Sequence, residues 1–144
     1  MYLTDEISAT LVQAALADGQ TDPDSDSVDM SGYDGVLFIG SVGTITGSGT
    51  VAMAVEQSAD DSSFAALTGA SAQADAAADS DKLLMVDVFR PTDRYVRTAL
   101  TRATANSVYN GTIALRYKAK SKPTAQTAAS LAAALVQVMT PAES

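Results

Sequence analysis

The chain has 144 residues, 47% of them apolar, and a net charge of −8 from nine basic and seventeen acidic side chains. Its length suits one domain with a real core, and the acidic balance argues against nucleic acid as a partner, because phosphate binding needs a positive surface. With neither Cys nor His, the sequence excludes disulfides, thiolate nucleophiles, Ser-His-Asp triads and the commonest transition-metal ligand.

The opening MYLTDEISATL lacks a basic stretch followed by an apolar one, so it does not read as a secretory signal. No apolar run approaches the ~20 residues of a membrane span. The expectation is a soluble protein made in a cytoplasm, with no membrane partner. ATLVQAAL (residues 9–16) reads as a first strand, although Ile7, Leu11 and Ala14 also suit a helix face. Residues 1–27 are thus an N-terminal arm with that strand. The acidic, small-residue stretch Ala17–Asp29 reads as a solvated loop, and Val28–Met30 as a short strand.

A β-rich body follows over residues 28–120. Gly35–Ile45 is a strongly apolar run with β-branched residues, suited to a strand buried on both faces. TGSG (46–49) supplies a hairpin-type turn, after which Val51, Met53 and Val55 alternate with Ala52, Ala54 and Glu56. ADDSSF (59–64) is a second turn, and Gly69–Asp81 a second acidic loop. Lys82–Arg90 is a strong strand ended by Pro91. Residues 93–103 alternate again, but Arg94, Val96, Thr98, Leu100 and Arg102 form a mixed set, which points to an edge or a partner. Asn110-Gly111 is a turn signal opening the last strand, where Ile113, Leu115 and Tyr117 oppose Ala114, Arg116 and Lys118. Strands this closely spaced, without intervening helices, predict a mainly β, antiparallel sandwich or barrel.

Residues 121–144 form an Ala-rich C-terminal arm. Leu131, Leu135 and Val138 fit a helical stripe stopped by Pro141; the alternative is an extended arm lying on a neighbour.

Little here carries chemistry. GSVGTITGSG (40–49) matches neither phosphate-loop pattern and opens no helix. Asp22, Asp24 and Asp26 alternate as calcium ligands do, but Ser27 and Tyr33 stand where that loop needs Gly and Glu. No pair of carboxylates is marked out for glycoside hydrolysis. No cofactor and no catalytic residue is expected.

The charge distribution says more. Residues 1–81 hold fourteen acidic residues and no basic one, while residues 82–144 hold all nine basic residues and three acidic ones. Two readings stand: the halves pair with each other across the sheets, or they present faces to different neighbours.

Three phrases then form a pattern: Gly32-Tyr33 before the apolar strand, Gln57-Ser58 with Asp60-Asp61 and Phe64, and Arg94-Tyr95-Val96-Arg97. Together, over roughly residues 8–118, they resemble the head decoration (capsid cement) proteins of tailed bacteriophages. That resemblance implies a β-sandwich related to jelly rolls, a homotrimer, and binding to the major capsid protein on the outer surface of the virion. Arg90, Arg94, Arg97, Arg102 and Arg116 are candidates for a protein interface, and so, on composition alone, are Leu131, Leu135 and Val138 of the tail. Arg94 and Arg97, three apart, would point to opposite faces of a regular strand; one is expected to meet the acidic half and the other a neighbouring subunit. The alternatives are a head completion or tail component, or a carbohydrate- or receptor-binding sandwich, for which three Phe and five Tyr make a poor aromatic platform.

Overall fold

Period-two alternation of apolar residues becomes nine strands in the computed structural model, which describes residues 2–139. They are β1 (Ser8–Gln13), β2 (Leu16–Gly19), β3 (Val28–Asp29), β4 (Gly35–Ile45), β5 (Thr50–Ser58), β6 (Ala65–Asp75), β7 (Leu83–Phe89), β8 (Tyr95–Ala103) and β9 (Ser107–Tyr117). Among the described residues, helix is confined to three 3-10 turns of three residues each.

The strands form two antiparallel sheets. One has the order β1-β9-β4-β7, with β2 continuing along β9; the other runs β3-β8-β5-β6. The pairings are nested: β1 and β2 with β9, β3 with β8, β4 with β7, β5 with β6. A long hairpin has in effect been rolled up, and the β4–β9 and β5–β8 pairs knit the roll together. This is the strand order of a jelly roll.

The inward positions explain why the roll closes. Val36, Phe38 and Val42 of β4, Val51, Met53 and Val55 of β5, Val96 of β8 and Tyr109 and Ala114 of β9 are fully buried between the sheets. Tyr109 is the largest of them, and its hydroxyl bonds Thr112 beside the Met53 sulfur. The ring needs Gly40 beneath it: a Cβ there would lie 2.2 Å from the Tyr109 hydroxyl. Gly40 therefore makes room for a core side chain.

Several expectations are corrected by this topology. TGSG does not close a hairpin, because β4 and β5 belong to different sheets; it is an arch across the end of the sandwich. Gly69–Asp81 is not simply a loop, since β6 runs to Asp75 and pairs with β5 through its backbone. Asn110-Gly111 lies inside β9, where the pairing with β4 shifts register; Gly111 takes φ 117°, and a Cβ there would meet the Gln13 carbonyl at 2.6 Å. The mixed strand β8 is no edge, for it lies between β5 and β3. The opening segment is strand rather than helix. The tail is extended apart from one 3-10 turn at Ala128–Ser130, so Leu131, Leu135 and Val138 form no helical stripe; Pro141 lies outside the described residues.

Candidate interaction surfaces

The rolled pairing carries the acidic and basic halves of the chain past each other, and the arginines are spent on that meeting. All five ion pairs among the described residues join a basic residue from position 82 onward to an acidic one before it. Arg94 grips Asp29 with two parallel bonds of 2.9 and 2.8 Å. This holds the Asp29 carboxyl below the usual carboxylate range and raises the Arg94 guanidinium above its own. Arg97 stands directly opposite Glu56 on β5, bonds it at 2.9 Å, reaches Asp24 at 3.1 Å, and lies 3.9 Å over the Phe64 ring. Both arginines therefore meet the acidic half. The expected division, one arginine on the acidic half and the other on a neighbouring subunit, does not hold within the chain, where each has an acidic partner.

Arg102 and Arg116 are also turned inward. Arg102 is 3% exposed and its guanidinium meets no carboxylate among the described residues; it donates to the carbonyls of Thr21 (3.0 Å), Ala17 (2.9 Å) and Ser107 (2.6 Å), and to the Thr21 hydroxyl. Its own amide donates to Asp22 at 2.7 Å. It pins the segment after β2 over one end of the sandwich and offers nothing to a partner. Arg116 caps the other end, donating to the Asp29 carbonyl and the Ser8 hydroxyl and lying 4.6 Å over Tyr33. Of the five, Arg90 stays exposed and makes no ion pair among the described residues, at φ 53° beside the Phe89 ring.

The acidic alternation of Asp22, Asp24 and Asp26 forms no cation cage. Asp22 and Asp24 serve Arg102 and Arg97, and no group of three potential metal ligands converges among the described residues. A polar recess of about 410 Å³ at one end mixes Arg90, Arg94 and Lys120 with Asp34 and Asp93.

What the sequence did not reveal is an apolar outer face on the β1-β9-β4-β7 sheet. The register places Leu11, Ile113, Ile39 and Met85 in one row across four strands, and Ala9, Leu115, Leu37 and Asp87 in the next. Leu83 and Phe89 extend the face along edge strand β7. Leu11, Leu83, Met85, Phe89 and Ile113 are between 44% and 59% exposed, which for large apolar side chains in neighbouring positions marks a surface to be covered. The face has internal order: Tyr117 lies over Gly35, stacks on Phe89 at 6.5 Å and donates its hydroxyl to Asp87. Burial, with that bond, pushes the Tyr117 phenol up to about 12. Arg90 and Lys118 flank Phe89 at 5.1 and 5.4 Å, giving this end a basic rim. Leu131 of the tail joins Leu11 and Ile113 around a groove of about 240 Å³. The available signal was β7 itself, which carries large apolar residues at both parities.

The second and third phrases behind the resemblance meet at one corner of the sandwich. Gln57 accepts from the Asp93 amide and donates to Thr92; Asp60 accepts from the Ser62 and Ser63 amides to shape the β5–β6 turn; Arg97 covers Phe64. They are residues that hold the corner together.

No protein-family model and no curated protein sequence matches the chain. Among solved structures, the fold is similar to that of the PBSX exported protein XepA, with a TM-score of 0.55 at 14% identity over 99% of this chain and 44% of that one. The chain thus spans less than half the length of that structure, and at this identity the likeness shows the fold alone.

Proposed function

We propose that this chain is a structural protein of a phage particle, a decoration protein that binds the outside of the capsid and bridges capsomers as a homotrimer. The observation that carries the reading is the exposed apolar face of the β1-β9-β4-β7 sheet, rimmed by Arg90 and Lys118. A rigid sheet presenting Leu83, Met85, Phe89 and Ile113 suits docking on another protein surface. The residue phrases resembling decoration proteins support it, as does a fold similar to that of the PBSX exported protein XepA. Weak contacts suffice for such a role, because several copies engaging several neighbours convert modest affinity into avidity. No helix among the described residues is long and apolar enough to cross a membrane.

The test is co-sedimentation with phage heads assembled without the protein. Burying half of Met85 and Phe89 contributes roughly 1 kcal/mol each, so Met85→Asp with Phe89→Asp should weaken binding at least tenfold. Their exposure means that the fold should survive. Retention of full occupancy by the folded double variant would remove this face from the account. The second reading, an exported protein that is no part of the capsid, is favoured by the name of the structural neighbour; it predicts no sedimentation with heads at all.

A further inference from the structure

The C-terminal tail does not simply trail from the body. From Thr124 it runs alongside β1, which is the open edge of its sheet. Ser8 meets Ala125, Ala9 meets Gln126 and Thr10 meets Thr127, all at a constant separation of 117 residues, so the two segments lie parallel. The edge amides of Ala9 and Leu11 donate to Gln126 Oε1 at 2.8 Å and Ser130 Oγ at 3.0 Å, where a neighbouring strand would offer backbone carbonyls. Gln126 Nε2 donates in turn to the Thr4 and Ile7 carbonyls, and the Thr124 amide to Asp5. An edge strand is thereby capped by a side-chain ladder.

This arrangement satisfies the seat but not the tail. Beyond the ladder Val136 is 77% exposed and Met139 81%, although both are large and apolar. The connection from the end of β9 to Pro123 is residues 118–122, a polar stretch held to the body by the Lys120 amide on the Gly32 carbonyl. Extended, it reaches roughly 16–18 Å.

We propose that the tail is an exchangeable arm, and that the β1 edge of one copy is the docking surface for residues 124–130 of a second copy. The occupant is fixed by the seat: an identical tail makes every hydrogen bond that the chain's own tail makes. Exchange therefore costs little in contacts, and Gln137, which donates to Thr4 and Asp5, would follow the ladder onto the second copy's seat. This surface adjoins the apolar sheet face at Leu11 and Leu131 but does not depend on the capsid reading.

The absence of Cys from the chain makes the test clean. Thr10 and Thr127 place their hydroxyl oxygens 2.9 Å apart, close enough for a disulfide in their place. Full-length Thr10→Cys and a mass-tagged Thr127→Cys are co-expressed, oxidised and run without reductant, with thermal melts confirming that each is folded. Exchange predicts a disulfide-linked heterodimer carrying both variants, because neither chain alone holds both cysteines. Thr10→Cys/Thr127→Cys in one chain should then give linked oligomers as well as closed monomers. A folded pair that yields no heterodimer overturns the proposal, whether or not the double variant closes on itself. Should either substitution prevent folding, Leu11→Cys with Ser130→Cys, which line one groove, reads the same seat at its other end.

Discussion

Replacing Arg102 with Met isolates what a buried arginine does here. Met keeps much of the aliphatic volume but removes the donors that reach Ala17, Thr21 and Ser107. Ala17 and Thr21 lie at the surface, so water can replace the lost partner. Ser107 is fully buried, and its carbonyl would be left dry. An orphaned buried acceptor costs about 1–3 kcal/mol, and the remaining charge-assisted bonds add roughly another 1 after water compensates. Against this stands relief from burying a guanidinium, which makes apolar replacement of complete buried pairs often neutral; here only one side of the interaction is removed, so destabilisation wins. We expect a loss of about 3 kcal/mol and a melting temperature lower by roughly 10 °C. Lys in place of Arg should fall between, since one ammonium cannot reproduce the fork. Urea unfolding followed by circular dichroism, with an unchanged slope, measures this directly. A Met variant within about 0.5 kcal/mol of the parent would refute the claim that Arg102 fastens the N-terminal segment to the sandwich.

Other consequences are smaller but as specific. Arg97→Glu sets a third carboxylate between Asp24 and Glu56 and should cost about 1–2 kcal/mol in urea; adding Glu56→Arg should recover part of it, and the absence of any recovery would contradict the pairing. Asp29 titrates below its unfolded value of 3.8 because of Arg94, so its contribution is present above that value and is lost as pH falls through the folded one. The stability gap between the parent and Arg94→Gln should therefore be full at pH 5 and shrink toward pH 2. Tyr117, raised from 10.0 to about 12, acts in the opposite range: the unfolded chain ionises first, so stability falls as pH rises from 10 toward 12, and Tyr117→Phe should blunt that fall. Deleting residues 123–144 should leave a folded sandwich with its β1 edge open to water; loss of soluble folded protein would show instead that the tail belongs to the core.

The parts of this fold that were legible are those in which burial writes itself into alternation. Gly35–Ile45 is a strand over the residues the sequence marked, because Val36, Phe38 and Val42 face the core. β6 was hidden because it is an edge strand mostly of Ala, Ser, Thr and Gly with Leu67 its one large apolar residue, paired by its backbone and exposed along most of its length. Asn110-Gly111 misled for a physical reason: positive φ serves a bulge as well as a turn. The tail looked helical because Leu131, Leu135 and Val138 have helical spacing, whereas its conformation is set by Gln126, Thr127 and Ser130 bonding a strand more than a hundred residues earlier. The arginines were visible, but their partners were not. Which side Arg97 faces depends on Asp24 and Glu56 arriving through the nested pairing of the roll, and local sequence does not contain that pairing. Of the tail candidates, Leu131 does reach the apolar face.

The most direct measurement is electron cryomicroscopy of undecorated phage heads mixed with the purified protein. The account predicts density repeating at three-fold positions of the outer lattice, with the β1-β9-β4-β7 sheet turned toward the capsid and Met85 and Phe89 covered. Bare heads, or density in which that sheet faces solvent while the opposite one makes the contact, would contradict it.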